Sequence, residues 1–284
     1  MKNMQAVCRL NISELFDLPD AGLDDADIDA AGNLLISDGS NGRVYKLTPD
    51  NEFDIFPVIR SAGPEAKESG LNIAVAPDSS FCLSDAWREI VVRYGPCGEY
   101  LGELPVPGLL TICRGPQCLY ALCTMEDTEE IGIYDELGLM VDRLVAPPRE
   151  RTRLDPNIVS MDSDPDGNVY VCYGMPPYQI WKATADGFEA WSQDMDYPDD
   201  AILIADIAVD AASSTLWALL ACRKSGRQVV DAFSLDGEFL GTYAVPHSET
   251  LYGVICPAAN SELYLIDTGT GPGSGEVLRI LKDK

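Results

Sequence analysis

The chain has 284 residues, of which 46% are apolar, so it can bury a large core and is not a disordered protein. Its formal net charge of −26 repels phosphate backbones, which excludes nucleic acid as a partner. No apolar run approaches the ~18 residues that span a bilayer, and the N-terminus lacks the apolar stretch of a signal peptide. We therefore predict a cytoplasmic protein with no membrane partner.

Six segments, taken in chain order, share a short apolar pattern that is rich in β-forming residues and recurs every 38 to 50 residues. Each follows an apolar run and a turn, and each precedes a third and a fourth strand. This pattern predicts an all-β fold, a six-bladed β-propeller with four antiparallel strands per blade, formed by residues 1–284 as a single domain. The six segments are 34–38, 81–85, 119–123, 169–173, 216–220 and 263–267.

The last repeat stops after its third strand, at 276–281, and leaves its blade one strand short. Near the N-terminus, Leu15–Pro19 resembles 101–105, the fourth strand of the second blade. We therefore predict that an N-terminal strand, residues 14–18, completes the last blade by pairing with 276–281. Residues 1–12 have no predicted place.

Residues 28–47 read IDAAGNLLISDGSNGRVYKL. This stretch resembles the NHL repeat, because five residues fall on that repeat's pattern: Gly32, Asn33, Asp38, Asn41 and Arg43. The resemblance implies a propeller, and NHL propellers include scaffolds, sensors and a few enzymes. We interpret Gly32 as a turn residue, and we expect Asp38, Asn41 and Arg43 to order the loop after the second strand by hydrogen bonds.

Several catalytic and metal sites are excluded or disfavoured. The single histidine, His247, excludes sites that need several histidines, including the zinc site of amidating-lyase relatives. Residues 162–167 match the start of a calcium loop, but Tyr173 replaces the required glutamate, so we interpret them as a hairpin turn. The glycine-rich run 269–275 has no lysine and is read as a loop. The nine cysteines, scattered through apolar runs, predict free and mostly buried thiols.

Polar residues recur in the first strands. Our alignment places six residues at equivalent positions, expected near the mouth of a central channel: Asp25, Asn72, Leu110, Ser160, Asp206 and Gly253. Gluconolactonase and regucalcin-like propellers, which the chain distantly resembles, hold a divalent cation there with one Glu, two Asn and one Asp. Only Asp25, Asn72 and Asp206 are of suitable type. We expect no cofactor, and we leave open a weakly held Ca²⁺ or Mg²⁺.

Exposed aromatic and arginine side chains are enriched at recognition surfaces. Trp87, Arg88 and Tyr178 lie in loops that we expect to share one face. The leading hypothesis is a non-catalytic interaction module that presents this face to a protein partner or a small ligand. The alternative is a divalent-metal-assisted hydrolase, of the lactonase type, that acts at the channel mouth.

Overall fold

The computed structural model describes residues 2–18, 22–58, 71–125, 128–145, 158–173, 180–184, 187–191, 202–222, 227–246, 250–258, 262–269 and 274–282. The chain begins with strand β1 (Lys2–Asn11) and a one-turn helix, α1 (Ile12–Leu15), and continues with strands. Within the described residues, no helix is long and apolar enough to cross a membrane.

The first three blades are four-stranded antiparallel sheets whose strands lie side by side in chain order. Where the structure describes the connection, short turns join consecutive strands of a blade, as expected for antiparallel neighbours. Blade 1 contains β2 (Leu23–Ile28), β3 (Leu34–Asp38), β4 (Arg43–Leu47) and β5 (Phe53–Pro57); blade 2 contains β6 (Ile73–Val75), β7 (Phe81–Asp85), β8 (Ile90–Tyr94) and β9 (Tyr100–Pro105); blade 3 contains β10 (Leu109–Arg114), β11 (Leu119–Met125), β12 (Thr128–Tyr134) and β13 (Met140–Val145).

The remaining three blades repeat this arrangement, and the last two share one eight-stranded sheet. Blade 4 contains β14 (Ile158–Ser163), β15 (Val169–Tyr173), β16 (Ile180–Thr184) and β17 (Gly187–Ala190); blade 5 contains β18 (Ile202–Asp210), β19 (Thr215–Cys222), β20 (Gln228–Ser234) and β21 (Phe239–Ala244); blade 6 contains β22 (Tyr252–Ala258), β23 (Glu262–Asp267), β24 (Glu276–Lys282) and β1. The chain is therefore a six-bladed β-propeller, as the repeat predicts.

An N-terminal strand does complete the last blade, but it is not the predicted one. β1 lies between β24 and β21 in the sheet order, and it pairs in parallel with β21 through Lys2 and Asn3. The prediction of residues 14–18 is wrong, because α1 and a turn occupy that region. There the Phe16 ring stacks on Tyr45, with ring centroids 5.3 Å apart.

Contacts divide the chain into two compact units. One contains Leu10–Arg143 and Thr268–Glu276; the other contains Met1–Arg9, Leu144–Asp267 and Val277–Lys284. In the first unit, apolar side chains are buried between blades 1 and 2 and between blades 2 and 3. In the second, they are buried between blades 4 and 5 and between blades 5 and 6.

Candidate functional site

The first strand of each blade is an edge strand of its sheet: one side pairs with the second strand, and the other side is the sheet edge. Alternate backbone amides of such an edge point away from the sheet and need another acceptor. The polar residues that sequence analysis placed near a channel mouth lie on or beside these edges. Their hydrogen bonds show what they do in the fold.

In the first unit, two aspartates of β2 bridge blades 1 and 2. Asp25 accepts the N–H of Ala26 through Oδ1 at 2.8 Å and the N–H of Ile73 through Oδ2 at 2.9 Å. Two residues further on, Asp27 accepts the N–H groups of Ile28 and Val75, each at 2.7 Å. Each carboxylate thus bonds one amide of its own strand and one of the next blade.

The second unit repeats the arrangement. Asp162 of β14 accepts the N–H of Ser163 and, through its second oxygen, the N–H of Val209 in blade 5, each at 2.7 Å. Asp206 of β18 accepts the N–H of Ile255 in blade 6 at 2.9 Å. Its other oxygen accepts the hydroxyl of Ser160 in blade 4, so this carboxyl group links three blades.

Burial changes the acidity of two of these groups. It raises the pKa of Asp206 to about 7, although the bonds from Ser160 and Ile255 act in the opposite direction. Burial also raises the pKa of Asp27 to about 6, against the bonds from Val75 and Ile28. Desolvation penalises the charged form more than the hydrogen bonds stabilise it. Asp206 therefore holds its proton to a higher pH than an exposed aspartate does.

Asn72 occupies the Asp25 position in blade 2. The Asn72 amide donates to Ser84 Oγ at 3.1 Å, and the Ser84 hydroxyl donates to Asn72 Oδ1 at 3.2 Å. In blade 1, the Asp25 amide likewise donates to Ser37 Oγ at 3.1 Å. Sequence analysis did not identify these serines as partners. Their signal is the Ser-Asp pair that ends both the second strand of blade 1 and that of blade 2.

The pairing register of the first strands shows that two of the six residues aligned from sequence, Leu110 and Gly253, are not at the equivalent position. In five of the first strands, a register shift marks a β-bulge near the N-terminal end. The residue just after the bulge is Asp25, Ser160 or Asp206 in three of them. In blades 3 and 6 it is Thr111 and Val254, each one residue later than the aligned Leu110 and Gly253.

These contacts determine what the carboxylates can do. In Asp25, Asp27, Asp162 and Asp206, both carboxylate oxygens already accept hydrogen bonds, mostly from backbone amides. Within the described ranges, no group of three or more His, Cys, Asp or Glu side chains has an arrangement that could hold a metal ion. The geometry therefore assigns these residues to fastening neighbouring first strands.

Loop residues of the sequence motifs have structural roles. Asp38 accepts the amide of Asn41 at 2.9 Å, its side-chain amide at 2.8 Å and the Tyr45 hydroxyl at 2.8 Å, which confirms the loop-ordering interpretation for Asp38 and Asn41. Asp164, inside the calcium-like stretch, accepts the Asn168 amide at 2.9 Å and the Tyr170 hydroxyl at 3.0 Å. That stretch is a hairpin turn, as expected.

Trp87 and Arg88 lie in the turn between β7 and β8. The Trp87 side chain is 59% exposed. Arg88 Nη2 donates to both carboxylate oxygens of Glu103, at 2.8 and 3.0 Å, and Arg88 Nη1 lies 4.0 Å from Asp85. Trp87 is thus presented to solvent, while Arg88 attaches the turn to β9. Tyr178 and His247 lie outside the described residues.

All nine cysteines are free thiols. Five are buried: Cys82, Cys113, Cys123, Cys172 and Cys256. Burial raises the pKa of the Cys123 thiol to about 11 and that of Cys172 well above its ordinary value. Such thiols are unreactive at neutral pH. The prediction of free and mostly buried cysteines is confirmed.

No protein-family model matches the chain, and a search of curated proteins finds no match. Among solved structures, a streptogramin B lyase is 12% identical, with a TM-score of 0.64 over 99% of this chain and 98% of that one. A gluconolactonase from Xanthomonas campestris is 16% identical, with a TM-score of 0.60 over 92% and 86%. The WD40 repeats of RRP9 are 7% identical, with a TM-score of 0.66 over 98% and 100%. At these identities the likeness shows the fold alone, and that fold is a β-propeller.

Proposed function

We propose that the chain is a non-catalytic interaction module that uses the turn around Trp87 to bind a protein partner or a small ligand. The observation that carries this proposal is the 59% exposure of Trp87 in a turn that other contacts hold in place. Exposing an indole ring to water is unfavourable, and tryptophan is enriched among the residues that dominate binding energy.

The neighbours of Trp87 support a preformed surface. The Arg88 amide donates to Asp85 at 3.1 Å, and the Arg88 guanidinium binds Glu103 on β9. The backbone carbonyl of Glu89 accepts the amide of Val106 at 2.7 Å, which ties the turn to the chain after β9. A turn held at both ends loses little entropy when it binds. Arg88 therefore serves to position Trp87.

The test is affinity capture from the native organism, comparing the wild type with Trp87→Ala. We expect the variant to lose the captured partner while keeping its melting temperature, because an exposed indole makes few intramolecular contacts. The matched control is Leu101→Ala, which truncates a 54% exposed side chain of β9. We expect this variant to capture the partner as the wild type does. Identical capture by Trp87→Ala and wild type would overturn the proposal.

A metal-assisted hydrolase of the lactonase type is the second candidate, and one observation favours it. Asp206 has a pKa of about 7, which is suited to general acid–base catalysis at neutral pH. The fold is also shared with a gluconolactonase. Against this candidate, both Asp206 oxygens accept hydrogen bonds, from Ser160 and from the Ile255 amide. The interaction module is therefore the better supported of the two.

A further inference from the structure

In blades 1 to 4 the fourth strand is an edge strand, whereas β21 and β1, the fourth strands of blades 5 and 6, pair with each other. Most fourth strands are protected against pairing with another chain. β5 and β9 end in Pro57 and Pro105, which have no N–H to offer. The edge of β21 is covered by β1, and β17 has only four residues. β13 differs, because it runs for six residues without proline and is the last strand of its sheet.

The β13 hairpin also exposes apolar side chains. Leu139, Met140 and Val141 are 62%, 59% and 60% exposed, and Leu137 in the preceding turn is 78% exposed. Four large apolar residues within five positions are exposed, and such an accumulation is typical of an interaction site. An exposed apolar edge strand is also the element to which an extended segment adds in β-augmentation.

Asp142, near the centre of β13, makes one of the two hydrogen bonds that the first-strand aspartates make: it accepts the amide of the residue that follows it. The Arg143 amide donates to Asp142 Oδ1 at 2.8 Å, just as the Ala26 amide donates to Asp25 Oδ1 at 2.8 Å. In Asp25 the second oxygen accepts an amide from the neighbouring blade. Within the described chain, the second oxygen of Asp142 has no such donor. It is placed to accept an amide from an added strand.

The chain already contains one example of strand addition to a fourth strand. β1 pairs in parallel with β21, through Lys2 opposite Tyr243 and Asn3 opposite Ala244. The Lys2 ammonium lies 5.2 Å from the centroid of the Tyr243 ring. β1 carries Lys2 and Arg9 and no acidic residue. A basic extended segment is therefore compatible with a fourth-strand edge of this protein.

Charge near β13 favours a partner of the same kind. Residues 129–143 contain five acidic side chains and one basic side chain, so this hairpin has a net charge of −4. Asp142 and Glu136 are exposed, and the one cation, Arg143, lies 3.4 Å from Glu130. Complementary potentials steer binding and discriminate between partners.

We propose that β13 is a docking edge for an extended segment of a partner protein, with apolar side chains that cover Leu139 to Val141 and basic side chains that face the acidic hairpin. The segment adds to blade 3 as a fifth strand, and its backbone donates to the second carboxylate oxygen of Asp142. This surface is separate from the Trp87 turn, and the proposal does not depend on the function of that turn.

The test uses a fluorescent ten-residue peptide of alternating leucine and lysine, with a leucine–glutamate peptide for comparison. We expect anisotropy to show saturable binding of the lysine peptide only. Amide hydrogen exchange should show increased protection of amides in β13 on binding. Val141→Pro removes a backbone N–H from β13 and should weaken binding about tenfold. Asp142→Ala should weaken it severalfold.

Asp54→Ala is the matched control, because it removes one exposed carboxylate from β5 and should leave affinity unchanged. Trp87→Ala should also leave affinity unchanged, which separates this proposal from the proposed function. Melting temperatures check that every variant folds. Equal affinities for Asp142→Ala, Asp54→Ala and the wild type would show attraction by net charge alone and overturn the proposal. The proposal would also be overturned if the lysine peptide did not bind, or if amide protection on binding were confined to strands other than β13.

Discussion

At the scale of single residues, aspartate carboxylates accept hydrogen bonds from first-strand backbone amides that point away from their own sheet. Asp25, Asp27, Asp162 and Asp206 each accept the amide of the next blade's first strand, at 2.7 to 2.9 Å. A carboxylate offers two oxygens, so one side chain can serve amides of two strands. Buried amides without an acceptor destabilise a fold, and these aspartates therefore stabilise the contact between blades.

Asp27→Ala should lower the free energy of unfolding by about 2 kcal/mol, because it leaves the amides of Ile28 and Val75 without their acceptor. Urea unfolding measures the difference. Asp54→Ala, on the exposed face of β5, is the control and should change stability by less than about 0.5 kcal/mol. Equal stability of the two variants would contradict the fastening role.

Asp206 should make stability depend on pH. Its pKa rises from 3.8 to about 7 on folding, so the native state binds the proton more tightly than the unfolded chain. Its contribution is fully present below pH 4 and is lost as the pH rises through 7. Asp206→Asn should flatten the pH profile of unfolding by an amount on the order of 4 kcal/mol between these limits. Parallel profiles for variant and wild type would refute this linkage.

The type of these residues was predictable, but their role was not. Sequence analysis identified Asp25, Asn72 and Asp206 as aligned polar residues near a channel mouth and left a weakly held cation open there. The two aspartates accept backbone amides of the next blade, 48 residues away for Asp25 and 49 for Asp206, whereas Asn72 pairs with Ser84 of its own blade. The register shifts that precede Thr111 and Val254 depend on how the first strand pairs with the second. Neither feature can be read from a single repeat.

At the scale of elements, the strands of the repeat were predicted closely and the closing strand was not. β3, β7 and β15 have the bounds that their apolar patterns predict. β1 alternates poorly between apolar and polar residues, and its partner Tyr243 lies 241 residues away from Lys2. Leu15–Pro19 resembles a fourth strand locally, but Asn11 caps a helix there by accepting the Glu14 amide at 3.0 Å.

Deleting residues 1–11 should lower the melting temperature by roughly 10 °C or more, since it uncovers the edges of both β21 and β24. It also removes Met4, which is buried in the core of blades 5 and 6. Val7→Ala, which shortens a 47% exposed side chain of the same strand, should change the melting temperature by no more than a few degrees. A deletion variant that melts close to the wild type would show that β1 is dispensable.

At the scale of the whole molecule, the repeat spacing predicts the propeller, because each blade repeats one four-stranded pattern. The fold alone does not decide between binding and catalysis, since lyases, a lactonase and WD40 repeats share it. That residues 1–284 form a single domain stays a prediction. That the protein is located in the cytoplasm also stays a prediction.

The reactivity of the cysteine thiols tests whether the blades bury the side chains as the structure shows. A thiol reagent should modify Cys97 quickly in native protein, because it is the one exposed cysteine, and should titrate all nine in denaturant. Cys97→Ser should remove the fast phase and leave eight thiols after denaturation. Several rapidly reacting thiols in the native protein would contradict the burial seen in the blades.

The central claim is that the first-strand carboxylates fasten blades and do not bind a catalytic cation. Calorimetric titration with Ca²⁺, Mg²⁺ and Mn²⁺, beside a panel of lactone substrates, tests it most directly. We expect no saturable binding in the micromolar range and no lactone hydrolysis. Micromolar binding that disappears in Asp206→Ala, together with turnover that depends on the same cation, would contradict the claim and establish the hydrolase instead.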